Sequence, residues 1–220
     1  MESEGEQRNP VIVSRHEDRY LVLDGAHRVR ALRELGFRYA LVQTVEPPEK
    51  AEGWGHLLDG VGTAELDNIG GVEVSESPGR NPLAEVETAG EGVRFLSAGE
   101  EGLRGRVLAL WELQSFYPNG AVVRRVDPDS AVRISKDEVL IRYRAFTPGE
   151  LAEIVDSGTV LPAGITRFRV QERVLGVRYP LDKMRNGDAR TRNVELRGFI
   201  ESRWNENRVR YYGEPIVLFE

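Results

Sequence analysis

One glycine marks the junction that most constrains this chain. Tyr20-Leu-Val-Leu23 is a short run of strand-forming residues that delivers Asp24 to its C-terminal end. Gly25 breaks the strand, allowing a sharp turn and a close approach of the backbone. Beyond it, Ala31, Leu32 and Leu35 recur at helical spacing, with Arg30, Arg33 and Glu34 on the other face. His27 and Arg28 therefore fall in the first turn of a helix. The unpaired N–H groups and partial positive charge there make a ready cradle for phosphate. Arg28 offers a bidentate contact, His27 a donor, and Asp24 a ligand for magnesium or an acceptor for a substrate proton. The same residues also read as a plain capped turn, with Asp24 a helix cap, His27 a surface residue and Arg28 a solvated charge.

Around this junction the pattern predicts an α/β chain of mixed α+β type. Val11-Ile-Val13 and Tyr20-Leu23 form a hairpin across the polar turn His16-Glu-Asp-Arg19. Gly36 stands where a helix ends, and Ala40–Val45 is a third strand, stopped by Pro47-Pro48. Ala51–Leu58 is expected as a short helix. Strands are expected at Val72–Val74, Leu83–Glu87 and Val93–Leu96, a helix over Leu103–Tyr117 ending at Pro118-Asn-Gly120, and strands at Val122–Val126 and Val139–Tyr143. Thr147-Pro148 is an N-cap with proline at the first helical position, for a helix that Gly158 ends. Strands at Ile165–Phe168 and Arg173–Tyr179, a helix over Val194–Trp204 with apolar residues at 196, 199, 200 and 204, and strands at Val209–Tyr212 and Ile216–Phe219 complete the pattern. Trp111 and Trp204 lie on helical stripes and are expected in the core; His16, in a turn, is expected in solvent.

Composition narrows the classes of function. No cysteine is present, which removes disulfides, thiolate metal sites and cysteine nucleophiles. No apolar run approaches the ~20 residues a membrane helix needs, and the acidic start Met1–Gln7 resembles neither a secretory signal nor a transit peptide, so a cytoplasmic protein with no membrane partner is expected. The net charge of −6 counts against DNA as a partner, although basic clusters exist at Arg28–Arg38 and Arg203–Arg210.

Asn9-Pro-Val-Ile-Val13, Tyr20-Leu-Val-Leu-Asp-Gly-Ala-His-Arg28, Ala31-Leu32 and Leu35-Gly36 together resemble the ParB/sulfiredoxin-like nucleotide-binding superfamily. ParB proteins carry Gly-Glu-Arg-Arg at this turn and bind CTP; sulfiredoxins carry Gly-Gly-Cys-His-Arg with a catalytic cysteine. Here Ala26 stands in the cysteine's place, which excludes sulfinate reduction. Asp24, Gly25, His27 and Arg28 are most similar to the ParB-like free L-serine kinases. Leu161-Pro-Ala-Gly-Ile-Thr-Arg167, Arg210-Tyr-Tyr-Gly-Glu-Pro215 and the Trp-x-His pattern of Trp54 and His56 are similar to that branch too. The resemblance covers about the first 60 and the last 70 residues.

The resemblance implies a kinase that moves phosphate from ATP or ADP to free L-serine with Mg2+. Asp24 and His27 would be catalytic, Asp24 also the metal ligand, and Gly25, Ala26, His27, Arg28, Thr166 and Arg167 would bind phosphate or nucleotide, the last two alternatively the serine carboxylate. Trp54 would stack on a base or wall the serine pocket, and His56 would face phosphate. Each has a plainer alternative: Thr166 a strand residue, Arg167 a surface charge, Trp54 an amphipathic anchor. Phe168 stands where relatives often have histidine. The resemblance divides the chain into a nucleotide-binding unit, 1–60, and an α+β part, 61–220, that contributes to the substrate site.

Relatives have a strand and helix before the Asn-Pro segment, with a glutamate that acts as general base. Only eight residues precede Asn9, and Glu2, Glu4 and Glu6 are not replacements, so a truncated start is expected, the alternative being a protein that lost the base and only binds nucleotide. The competing reading is a nucleotide-binding regulator or DNA-associated protein, for which a helix-turn-helix after residue 60 would be needed; that segment is rich in glycine and strand-like residues instead.

Overall fold

The computed structural model describes residues 5–47, 50–61, 66–117 and 122–213. The expected turn Pro118–Gly120, the strand Ile216–Phe219, and Glu2, Glu4, Pro48, Glu214 and Pro215 lie outside the described residues. The chain forms two units, and each is interrupted in sequence. The larger takes 12–24 and the described residues of 44–173; the smaller takes 5–11, 25–43 and 174–213.

In the larger unit, β2 (Val11–His16) and β3 (Arg19–Asp24) form the expected hairpin, antiparallel with Val13 opposite Val22 and His16 opposite Arg19. The turn shortens to Glu17-Asp18, with Glu17 at φ 51°, so His16 ends a strand and is half-buried, 3.6 Å from Asp156. With β4 (Val42–Val45) these make a three-stranded sheet in the order β3-β2-β4.

The larger sheet has six antiparallel strands: β6 (Gly55–Asp59), β7 (Val72–Ser75), β8 (Pro82–Thr88), β9 (Glu91–Ala98), β10 (Val123–Val126) and β11 (Glu138–Tyr143), in the order β10-β6-β11-β8-β9-β7. Helix α2 (Gly102–Ser115) lies against β7, β8 and β9, and α3 (Pro148–Asp156) against α2. The core between them is built from Leu58, Leu66, Leu83, Leu96, Leu110, Leu113, Ile141 and Ile165. Each such side chain contributes about 1.5–3 kcal/mol by leaving water. Helix α3 starts as the sequence predicts: Thr147 and Glu150 form a reciprocal capping box, with Pro148 following, and Gly158 at φ 75° ends it. Arg106, buried in α2, reaches that cap and pairs with Glu150 at 2.5 Å while lying 4.6 Å over the Phe146 ring.

One expected helix of this unit is absent. Ala51–Leu58 is not a helix but β5 (Glu52–Gly53) followed by β6. Two glycines disfavour a helix, and Gly55–Leu58 is buried throughout because β6 lies between β10 and β11. A stretch this short, with Glu52 and His56 among its apolar residues, carries no period that separates a buried strand from a helix.

The smaller unit holds α1 (Ala26–Glu34), ended by Gly36 at φ 73°. It also holds β1 (Glu6–Gln7) paired with β13 (Tyr179–Pro180), α4 (Asp182–Arg185) and α5 (Ala189–Asn205), capped by Asp188. Its core is Leu32, Leu41, Tyr179, Leu181 and Met184, with Leu196 and Phe199 of α5 packed on it. Gln7 is fully buried and satisfied, donating to Leu41 O at 2.8 Å and accepting from Leu41 N at 2.9 Å. The strands expected at Arg173–Tyr179 and Val209–Tyr212 are absent apart from Tyr179–Pro180. Two backbone donors in the first stretch go to side chains, Val174 N to Gln43 and Gly176 N to Asn9, and Arg178 N goes to Arg8 O. Trp111 and Trp204 are not core residues: they are 47% and 54% exposed. No helix among the described residues is long and apolar enough to cross a membrane.

The division expected at residue 60 does not coincide with this one. Ile12, Leu21 and Leu23 of the hairpin pack in the larger unit's core, whereas Leu32 and Leu41, only a few residues on, pack with the C-terminal segment.

Candidate functional site

The strand, glycine and helix of the sequence reading are present. Gly25 is the N-cap of α1 at φ 98°, ψ 24°, a left-handed conformation that favours glycine, and no side chain caps the helix start. Ala26 and His27 are exposed there. Arg28 folds back over Gly25 and donates from Nη1 to the carbonyls of Asn9 (3.2 Å) and Pro10 (2.9 Å). A Cβ on Gly25 would lie 2.7 Å from both Nε and Nη2 of Arg28. The turn is thus a bare helix N-terminus with a guanidinium fixed beside it, a combination suited to an anion. The residues grouped with it carry a net positive charge: counted over 1–11, 25–43 and 174–220 there are fourteen Lys and Arg against eleven Asp and Glu, whereas the rest of the chain has sixteen against twenty-five.

In the larger unit, Asp24 ends β3 and pairs with Arg173 at 2.7 Å, both side chains roughly half exposed. No group of three or more His, Cys, Asp or Glu residues among the described residues is placed to hold a metal ion. A magnesium ion that arrives with a nucleotide needs only one or two carboxylates, the phosphates and water supplying the rest, so Asp24 fits that manner of binding.

Trp54, Thr166 and Arg167 come together in the same unit. The two-residue strand β12 (Thr166–Arg167) pairs with β5, Thr166 opposite Gly53. Trp54 N donates to Ile165 O at 2.9 Å, and the Arg167 guanidinium lies 4.7 Å over the Trp54 ring. Arg167 is half-buried and also pairs with Asp127. The bond from Arg167, joined by one from Asp129 N, holds the Asp127 carboxyl below the usual carboxylate range. Arg169 bonds Glu52 and Asp129, each at 2.9 Å. Asp127, Arg169 and Arg173 were not marked by the sequence. Asp127-Pro-Asp129 directly after the expected strand Val122–Val126 was the one available signal.

His56 is not where it was expected. It is 3% exposed and faces no open surface. Its Nε2 lies 2.8 Å from Gly164 O, and its Nδ1 lies 2.9 Å from the Tyr117 hydroxyl. A carbonyl only accepts, so Nε2 carries the proton, and in the neutral ring Nδ1 accepts from Tyr117. Tyr117 in turn receives the Tyr143 hydroxyl proton at 2.5 Å. Burial lowers the His56 pKa, and Arg125 adds to this, against the opposing effect of the Gly164 bond. Burial raises the pKa of both tyrosines, so they stay neutral.

A pH dependence follows. The folded His56 titrates below the ordinary value of about 6.5, so the unfolded chain binds more protons between the two values. The stability gained from neutral His56 is complete above about pH 7 and is lost as pH falls through 6.5 towards the folded value, at up to about 1.4 kcal/mol per pH unit. Melting curves between pH 7.5 and 5 should show this slope in the wild type and not in His56→Gln. Equal slopes would mean that the ring is not the titrating group.

No protein-family model matches the chain. It is 24% identical over 217 residues to the ATP-dependent L-serine kinase SbnI of Staphylococcus aureus, covering 97% of this chain and 84% of that protein. Among solved structures it is similar to SbnI with a C-terminal truncation from Staphylococcus aureus, with a TM-score of 0.74, 21% identity, and coverage of 92% of this chain and 85% of that one. It is also similar to a mutant of a free serine kinase in complex with ADP, with a TM-score of 0.63, 22% identity, and coverage of 83% and 82%. The mixed α+β fold is therefore one that solved structures share.

Proposed function

We propose that this chain is a small-molecule kinase of the ParB-like type that transfers a phosphoryl group from ATP or ADP to free L-serine. The observation that carries the reading is that the likeness to an L-serine kinase runs along nearly the whole chain. The bare helix start at Gly25 and the Trp54–Arg167 pair support it as two anion-binding features built from separate segments.

In this reading the N–H groups of Ala26, His27 and Arg28 receive the nucleotide phosphates, with His27 and the Arg28 guanidinium adding side-chain donors. Thr166 and Arg167 grip the serine carboxylate or the phosphoryl group, and Trp54 walls the pocket. The serine hydroxyl oxygen forms the new bond to the terminal phosphorus as the bond to the leaving nucleotide breaks. Asp24 takes one of two roles: it accepts the hydroxyl proton, or it would hold a magnesium ion that neutralises charge on the phosphates. Positioning and charge neutralisation do most of the work in such a transfer. His56, with both ring nitrogens engaged, is not part of the contact surface.

The test is incubation of the purified chain with Mg2+, L-serine and either ATP or ADP, with O-phospho-L-serine detected by mass spectrometry. Asp24→Ala should reduce turnover by roughly 10²- to 10⁴-fold, the range for loss of a positioned acid–base group, and Arg167→Met should raise the KM for serine. Nucleotide binding with no O-phosphoserine from either donor would sink the reading.

A further inference from the structure

The segment that leads into Thr166 and Arg167 has no regular structure of its own from Val160 to Ile165. It is nevertheless held at three consecutive points by side-chain donors. Trp111 Nε1 donates to Val160 O at 2.9 Å, Gln114 Nε2 to Ala163 O at 3.1 Å, and His56 Nε2 to Gly164 O at 2.8 Å. The first two stand one turn apart on α2 and the third stands on β6, so two rigid elements grip one loop. Gly164, at φ 81°, is closed over on another side by Arg125, whose Nη2 would lie 2.7 Å from a Cβ there. Ile165 is fully buried and fixes the exit of the loop. Trp111 explains the need for such a device: it stays half exposed on α2 and spends its one polar group on a loop carbonyl.

Backbone carbonyls held by side chains from a helix and a strand give a loop the precision of the elements it leans on. From this we infer that Trp111, Gln114 and His56 are positioning residues, which through the 160–164 backbone set Thr166 and Arg167 for the carboxylate of the amino-acid acceptor. The assignment to the acceptor rests on the proposed function: the nucleotide phosphates have their own cradle at Gly25–Arg28, which leaves the Thr166–Arg167 pair for the other anion. Arg167 matches a carboxylate in shape as well as charge, because its planar fork donates to both oxygens at once. It already makes an ion pair with Asp127. A loose loop would let that pair draw Arg167 away from the substrate.

Trp111→Phe removes one donor and Gln114→Met removes the donor to Ala163 O together with the bond to the Tyr143 side chain, both keeping most of the side-chain volume, and neither residue is in the core cluster. Each should raise the KM for L-serine by about 2- to 10-fold, the worth of one backbone-directed hydrogen bond. The nucleotide KM should stay within about twofold, because the phosphate cradle is untouched. Amide exchange of residues 160–168 should speed up in both variants. His56→Leu, with its buried partners stranded, should combine both effects with a lower melting temperature, and His56→Gln, which keeps a donor, should restore part of the serine KM. Faster exchange with an unchanged serine KM overturns the positioning role, and unchanged exchange shows that these donors do not hold the loop. A wild-type chain that makes no O-phosphoserine overturns the kinase reading and the acceptor assignment with it; the holding of the loop is then still decided by exchange.

Discussion

Gly25→Val should abolish measurable nucleotide binding while leaving a folded chain. The residue sits at φ 98°, where a Cβ-bearing residue is strained and a β-branched one most of all. The backbone term is about 1–2 kcal/mol. A second cost is local: the new Cβ would lie 2.7 Å from the Arg28 guanidinium, so Arg28 must swing away from the Asn9 and Pro10 carbonyls it now serves. The third cost falls on the ligand, because the two added methyls occupy the approach to the N–H groups of the first helical turn. Calorimetric titration with ADP should show about 100-fold weaker binding or none, and Gly25→Ala about 10-fold weaker, on the scale of one to two lost charge-assisted contacts. Chemical denaturation should show only about 1–3 kcal/mol of lost stability. ADP affinity close to wild type in Gly25→Val would mean that phosphate does not sit at this turn.

Why this turn could be read from the sequence is a matter of local physics. Strand, glycine and helix are consecutive, so period and capping chemistry define them without knowledge of the fold. The same holds for the hairpin β2–β3 and for α3, where Thr147, Pro148 and Glu150 lie within one turn. The errors fall where tertiary context decides. Ala51–Leu58 is too short and too mixed in polarity to show a period, and only the flanking β10 and β11 make its second half a strand. Trp111 lies on an apolar stripe yet stays half exposed, because its N–H is committed to Val160 O, 49 residues away.

Site residues follow the same rule. Gly25 and Arg28 were legible as neighbours on a turn. The counter-ions of the other candidates were not: Asp24 and Arg173 are separated by 149 residues, and Arg167 and Asp127 by 40. His56 shows the converse. The Trp-x-His resemblance implied that it faces phosphate, but Trp54 precedes β6 and His56 lies within it, so the ring is buried and spent on Tyr117 and Gly164. The division into units was equally hidden, since the hairpin and the helix that follows it belong to different cores.

Gly53→Ala should be the most destabilising single methyl that can be added to this chain's candidate site. A Cβ at Gly53 would lie 1.7 Å from the carbonyl oxygen of Tyr143 and 2.5 Å from its carbonyl carbon. Both are backbone atoms, so no rotamer change relieves the clash. The obstructing peptide is itself tied down: Tyr143 N donates to Trp54 O at 3.0 Å and Arg144 N to Leu83 O at 2.9 Å. Strands must therefore part, and the first to move is β5, which carries Trp54 on one end and the Thr166 pairing on its face. Overpacking of this kind costs about 3 kcal/mol or more. For a chain of this length that is roughly a 6–12 °C fall in melting temperature. Gly198, inside α5, is the control, because a Cβ there meets nothing within 4 Å. Gly198→Ala should stabilise by about 0.5–1 kcal/mol through helix propensity alone. Serine KM should rise sharply in Gly53→Ala and stay unchanged in Gly198→Ala, because only the first displaces the strand on which Thr166 and Arg167 depend. A Gly53→Ala protein that melts within about 2 °C of wild type would show that β5 and the Tyr143 carbonyl are not in contact, and the placement of Trp54 beside Arg167 would go with it.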